Sequence, residues 1–405
     1  MNSAFQRLWA AQAISAFGAR ITREGLPIMA VIALGAQAAV LGALAAVASG
    51  AALVAALGGA PYVDRARRRP VLIWADLLRA ALLVSIPLAA ALGVLGLPQL
   101  FVVAALTAAI SAIFEMASHA YLPTLVEREG LVAANSRLAA TDATAEVGGP
   151  ALAGLLFQWL SAPIAVAVNA ATYGASALWL ATIKTPEPAP FNGPRENWGR
   201  EFTTGLRMAW TDRRVRPLLV MESAQGLFGG VFSALYVLFA IRTLGLSPSM
   251  LGLAIAAGGA GALAGAALAP RLALRLGHGP AILAAMTGAG LAVLITPFAP
   301  ASPTAGLATL VVSQLIGDAL AVAGVILAAS LRQAMVPQAA LARVSGAFLA
   351  GPGAMAVLGA LGGGALGAAV GPRTALLIAA LGFVALPLIG ALSPLRNLRE
   401  IDAVD

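Results

Sequence analysis

The sequence predicts an all-α membrane protein of twelve transmembrane helices arranged as two six-helix bundles. Three observations carry that expectation: a scarcity of charge, a recurrence of apolar runs long enough to cross a bilayer, and the placement of arginine between them. Of 405 residues, 60% are hydrophobic and only 10% are charged. A water-facing domain carries roughly 25% charged residues. So few charges cannot cover a globular surface of this length, so the outer face must meet hydrocarbon. The 44 glycines and 24 prolines lie among Ala, Leu and Val, as they do in membrane helices, where small residues let backbones approach closely.

A helical span needs about 20 mostly apolar residues. Such runs fall near 8–34, 38–60, 71–95, 99–122, 136–158 and 162–183 (spans 1–6), and near 217–240, 247–270, 280–298, 304–331, 345–369 and 373–393 (spans 7–12). The stretch Leu8–Ala19 after Arg7, with Ala16-Phe17-Gly18 as a cleavage site, has some features of a cleaved leader. The apolar pattern resumes beyond Arg20, Arg23 and Glu24 through Leu34, which makes it one uncleaved helix with a polar middle. Between the two sets, Thr185–Arg216 is polar and holds Pro186, Pro188, Pro190 and Pro194. The spacing of Phe202–Trp210 predicts a short helix lying on the membrane surface.

Orientation follows from basic residues, which are retained on the cytoplasmic side. Roughly 20 of the 25 Lys and Arg fall in the termini and even-numbered loops; Arg242 and Arg373 are the two in odd loops. Both termini are therefore expected in the cytoplasm of a bacterium, with the chain in its inner membrane. The halves also echo each other. Ala60-Pro61 recurs as Ala269-Pro270, and Leu125-Val126 with Leu131 recurs as Met335-Val336 with Leu341, each about 210 residues later, as in transporters built from parallel repeats with a substrate site between them. The expected organisation is a bundle over 1–184, a cytoplasmic linker with a short surface helix over 185–216, a second bundle over 217–395 and a tail over 396–405.

Several chemistries are excluded. Without cysteine there is no disulfide, thiolate nucleophile or cysteine metal site, and two histidines, His119 and His278, leave little for a metal centre. The net charge of +8 is spread along short loops, which argues against nucleic acid. Gly259-Ala260-Gly261 and Gly351-Pro352-Gly353 fit a dinucleotide fingerprint by letter, but no strand precedes either. Lys184 is the only lysine, so no phosphate-binding Gly-Lys-Ser/Thr loop exists. No paired nucleophile and base stands out, so an enzyme is not expected. The expected partners are membrane lipid and a small-molecule substrate, the expected state is a monomer, and no cofactor is expected beyond an ion gradient.

Ala60-Pro61-Tyr62-Val63-Asp64-Arg65-Ala66-Arg67-Arg68-Arg69 sets an acid and clustered arginines in the loop between spans 2 and 3. A carboxylate there can cap a helix N-terminus, and arginines can bind carboxylates or phospholipid. Such contacts can form in one conformation and break in another. This segment resembles the loop 2–3 signature of the major facilitator superfamily. Asp76-Leu77-Leu78-Arg79 in span 3 resembles the Asp-Leu-x-Arg of its drug–proton antiporter branch, which includes macrolide efflux proteins and the enterobactin exporter. Further stretches are similar to that branch: Phe5-Gln6-Arg7-Leu8-Trp9 with Gln12, Ser15 and Gly18; Leu122-Pro123, Leu125-Val126, Leu131 and Ala134-Asn135-Ser136; the helix 5 motif Gly149-Pro150-Ala151-Leu152-Ala153-Gly154; and Arg332-Gln333, Val336-Pro337 and Arg343-Val344. Two positions depart from it: Ala19 stands where many relatives carry an acid, and Met116-Ala117-Ser118 replaces Pro-Ala-Arg.

Ionisable residues at membrane depth are costly and are functional candidates by default. The resemblance implies that spans 1, 4, 7 and 10 line a central cavity, and each carries one acid: Glu24, Glu115, Glu222 and Asp318. With Glu146 these are the proton-coupling candidates. Arg20, Arg23, His119 and Gln225 are candidates for the cavity and substrate. Arg20 is one turn from Glu24, a spacing that allows an ion pair. Asp142 and Glu146, also one turn apart, are expected to meet Arg79 or loop arginines. Asp64, Arg65, Arg68, Arg69, Asp76 and Arg79 form the expected cytoplasmic gate. The small-residue faces Gly261/Gly265 and Gly359/Gly363/Gly367 are expected to meet spans 5 and 2 across the halves. The function implied is proton-coupled export of a small amphiphile, drug or siderophore-like, by alternating access. The alternatives are uptake or facilitated diffusion, or a non-transporting membrane receptor or lipid-handling protein.

Overall fold

A computed structural model describes residues 3–187 and 198–398. Among these the chain is helical with no strand. Twelve long helices correspond to the expected spans: α1 (Ser3–Ile32), α2 (Ala38–Asp64), α3 (Arg68–Ala91), α4 (Leu97–Leu125), α5 (Leu131–Trp159) and α6 (Ala162–Ala181); then, after α7, α8 (Val215–Leu238), α9 (Pro248–Leu276), α10 (His278–Leu294), α11 (Pro303–Met335), α12 (Gln338–Val370) and α13 (Pro372–Ala391). The short α7 (Trp198–Thr211) lies in the linker. Several helices outrun their apolar stretch. α5 begins at Leu131 rather than 136 and α12 at Gln338 rather than 345, because the helix continues through polar turns that hydropathy does not register.

Among the described residues, ten helices are long and apolar enough to cross a membrane. The two long ones outside that set are α1 and α5, and the reason is chemical. They carry Arg20, Arg23 and Glu24, and Asp142 and Glu146, so their length suits a span while their charge lowers their hydropathy. Pro150 sits inside α5 without interrupting it; a proline deletes a backbone donor, which a membrane helix tolerates where neighbours pack closely.

The chain forms two compact units, Met1–Ala36 with Val47–Pro194, and Gln37–Ala46 with Arg195–Asp405. In the first, Phe5 and Leu8 of α1, Leu72 of α3, Phe114 and Tyr121 of α4 and Leu180 of α6 build a shared apolar core. In the second, Leu218 and Met221 of α8, Ile282 of α10, Leu327 and Leu331 of α11 and Ala347 of α12 do the same.

The glycine faces differ in part from expectation, with α9 meeting α11 and most of the α12 face meeting α8, while Gly367 does reach α2. Gly261 and Gly265 of α9 pack against the backbone of Leu315 and Ala319 in α11. Gly359 and Gly363 of α12 pack against Leu227 and Val231 of α8, while Gly367 meets Leu235 of α8 and Ala38 at the start of α2. These faces hold helix pairs of the second unit at backbone contact. The sequence marks a face that needs a close neighbour but not which neighbour fills it. The linker helix also gains a partner: Gly205 lies against the backbone of Arg343 in α12, and Ala209 is buried, so α7 is docked on protein along one side.

Candidate functional site

The principal charged cluster lies in the first unit, where α1 meets α5. Gly149 makes the meeting possible, since a side chain there would strike the Arg20 Cβ. Close approach at this level brings Glu146, less than one turn earlier on α5, onto two arginines at once. Arg20 Nε lies 2.7 Å from Glu146 Oε2, and an Arg23 terminal nitrogen donates to Glu146 Oε1 at 2.8 Å. Arg23 Nε also donates to Glu24 Oε1 at 2.7 Å. Asp142 stands within electrostatic reach of Arg20 and His119. Two cations and two anions thus neutralise each other, with a third carboxylate beside them.

Two expectations are corrected here. Glu24 pairs with Arg23 rather than with Arg20 one turn away, because α5 supplies Arg20 with a better-placed carboxylate. Glu146 meets these α1 arginines rather than Arg79. The remaining helix 5 motif residues, Pro150 and Gly154, are buried in α5. Glu115 and His119 share an exposed face of α4, and among the described residues they make no ion pair with each other.

Arg79 belongs to a second network between α1, α3, α4 and α6, buried except at Ser111. It pairs with Asp76 one turn earlier, and the two side chains are 1% and 0% exposed. Arg79 also donates to Ser15 at 3.0 Å and to Ser111 at 3.1 Å, while Ser15 donates to Asp76 at 3.2 Å. The guanidinium carbon lies 4.4 Å from the ring centre of Phe114 and 4.3 Å from that of Tyr173, within cation–π range of both. The motif Asp76-Leu77-Leu78-Arg79 therefore acts inside a helix bundle.

The loop between α2 and α3 is tied to the end of α6. Arg67, at the N-cap of α3, offers no side-chain acceptor. The first amides of α3 are capped instead by Glu187, whose carboxylate accepts from Arg68 N at 2.5 Å and Arg69 N at 3.0 Å. The Arg69 side chain reaches the carbonyls of Leu180 at 3.1 Å and Ala181 at 2.6 Å. A carboxylate at a helix N-terminus and a cation at a C-terminus both complement the helix dipole. Glu187 was not among the sequence candidates. The available signal was the helix start with no local cap at Arg67. Arg65 is half-buried in the turn after α2, and the side chain of Asp64 lies outside what is described, as do residues 188–197 and 399–405.

In the second unit, Glu222 of α8 lies 3.8 Å from Arg332 of α11, and the Arg332 guanidinium stands 4.2 Å over the Phe348 ring. Gln225 is half-buried on α8. Asp318 of α11 is half-buried against α9, where Gly258 leaves the space its carboxylate occupies and Gln314 lies alongside. Among the described residues no three His, Asp or Glu side chains converge on a metal-sized site.

Long apolar helices in two units, with ion pairs among them, define a multi-pass membrane protein. The chain belongs to the major facilitator superfamily: the model described as Major Facilitator Superfamily matches residues 8–348. It is a transporter rather than an enzyme. It is 28% identical over 362 residues to the multidrug efflux pump Tap of Mycobacterium tuberculosis, covering 86% of this chain and 83% of that protein; the Mycobacterium bovis protein matches equally. Among solved structures, a mutant of nucleoside transporter NupG superposes with a TM-score of 0.79 at 14% identity, over 96% of this chain and 99% of that one. A bacterial homologue of the iron transporter ferroportin gives 0.74 at 16% identity, over 96% and 100%. At such identities the likeness shows the fold alone.

Proposed function

We propose that this transporter exports small amphiphilic molecules, drug or siderophore-like, from the bacterial cytoplasm across the inner membrane in exchange for protons. Its termini, the 185–216 linker and the 396–405 tail would lie in the cytoplasm, flanking bundles 1–184 and 217–395 that alternate access to the substrate. The direction is supported by the similarity to a multidrug efflux pump along most of the chain. The coupling is carried by one observation: Glu146 holds Arg20 and Arg23 simultaneously.

Charge-assisted hydrogen bonds depend on the ionised acceptor. A proton delivered to Glu146 cancels its charge, weakens both contacts and leaves Arg20 without its carboxylate. The contact between α1 and α5 then depends on protonation, which is what exchange of a proton for a substrate requires. Glu24 is the adjoining acceptor, and Asp318 is the first candidate carboxylate in the second unit. Glu115, Glu222, His119 and Gln225 are secondary candidates, and the α2–α3 loop with Asp64, Arg65, Arg68 and Arg69 is the proposed gate.

The test is flux of ethidium-like cationic amphiphiles into everted membrane vesicles under an imposed pH gradient. Glu146→Gln and Glu24→Gln, at normal expression, should abolish proton-driven uptake while substrate-gradient flux persists. Full proton-driven activity in both variants removes the coupling assignment.

A further inference from the structure

A cavity of about 420 Å³ opens at the N-terminal end of α1, lined by Ser3, Gln6, Arg7, Trp9, Arg137 and Trp179 among others. Among the described residues that line it, Arg7 and Arg137 are the charged ones and none is a carboxylate. Arg7 is anchored by donation to the Thr182 carbonyl at 2.5 Å, and Trp9 Nε1 donates to Thr141 at 2.8 Å. The exposed Arg137 guanidinium has no partner among the described residues. Trp9 and Trp179 are 36% and 45% exposed. Leu178 stands beside Trp179, and Val168 and Ile164 lie further back along α6; these apolar residues are exposed at 72%, 43% and 53% and form a stripe within about a third of the helix circumference. The cavity lies at the same end of the first unit as the α2–α3 loop, because Arg7 and Arg69 both reach carbonyls at the C-terminus of α6.

We propose that this cavity binds the headgroup of one anionic phospholipid, with an acyl chain lying along the α6 stripe. Each feature has a matching part in that ligand. Two unneutralised arginines suit a phosphodiester, which accepts forked guanidinium bonds. Paired tryptophans mark the level where headgroup meets hydrocarbon. An apolar stripe running from that level into the bilayer gives the chain a track, which a soluble anion has no use for.

The experiment is native mass spectrometry of the full-length protein released from micelles containing phosphatidylglycerol and phosphatidylcholine at equal mole fraction. The wild-type protein is expected to retain one phosphatidylglycerol in preference. Arg137→Gln, which breaks no side-chain hydrogen bond or ion pair among the described residues, should reduce that preference about fivefold, and Arg7→Gln/Arg137→Gln by about 25-fold, as a basic residue near an anionic headgroup implies. Arg128→Gln, which removes the same charge from the exposed loop before α5, should leave it unchanged. Equal retention in wild type and Arg137→Gln overturns the proposal. Equal loss in Arg128→Gln does so too, since it would assign the effect to diffuse charge. Displacement of the lipid by inorganic phosphate at millimolar concentration would make this a free-anion site and likewise defeat it.

Discussion

Replacing Asp76 by leucine strands the Arg79 guanidinium where nothing else can neutralise it. The pair is 0% and 1% exposed, so water cannot substitute for the lost carboxylate. Removing one partner of a buried ion pair costs about 3–5 kcal/mol, whereas replacing both by apolar residues of similar volume is often close to neutral. In Asp76→Leu/Arg79→Met the stranded charge is gone. The Phe114 and Tyr173 rings, at 4.4 and 4.3 Å from the guanidinium, then flank a thioether, a favourable neighbour for aromatic rings. What remains lost is the cation–π attraction, about 1 kcal/mol per ring, and the bonds to Ser15 and Ser111. The single variant should therefore unfold on the order of 10 °C below wild type, and the double variant should recover more than half of that loss. The assay is thermal unfolding of purified protein in detergent, read as a double-mutant cycle. Wild-type stability in Asp76→Leu, or a double variant that loses the full sum of the singles, refutes the account of a buried, mutually dependent pair.

Other outcomes follow from the same geometry. Gly363→Leu drives a side chain into the α8 backbone, because a Cβ there would lie 2.7 Å from Val231 Cα, while at Gly362 nothing stands within 4 Å; folded yield should collapse in the first and persist in Gly362→Leu. Glu187→Ala removes the cap of α3 at about 1 kcal/mol, and the amides of Arg68 and Arg69 should exchange roughly fivefold faster by hydrogen–deuterium measurement. Gly258→Ala displaces the Asp318 carboxylate, so proton-driven flux should fall in it and in Asp318→Asn alike, with the elution profile unchanged.

Much of the architecture was legible because the bilayer imposes a simple rule. Apolar length is mandatory for a span, and arginine-rich loops stand out against it. The site was legible in kind but not in pairing. Arg20, Arg23, Glu24 and Glu146 are conspicuous as ionisable groups in membrane helices, yet spacing along α1 suggested Arg20 with Glu24. That spacing considers one helix alone. The approach of α5 at Gly149 adds a competing carboxylate and reorders the partners. Glu187 shows the same limit from the other side: in sequence it is one acid in a proline-rich spacer, and its role exists only once α6 ends beside the start of α3.

The sequence by itself determined the solvent of the outer surface, the number and order of long helices and the inventory of charges among them, since each follows from local composition weighed against hydrocarbon. Tertiary structure alone decided which carboxylate holds which arginine and which helix fills each glycine face. Those outcomes depend on distances between segments remote in the chain, and electrostatic and packing energies change over a few ångströms that residue spacing does not encode.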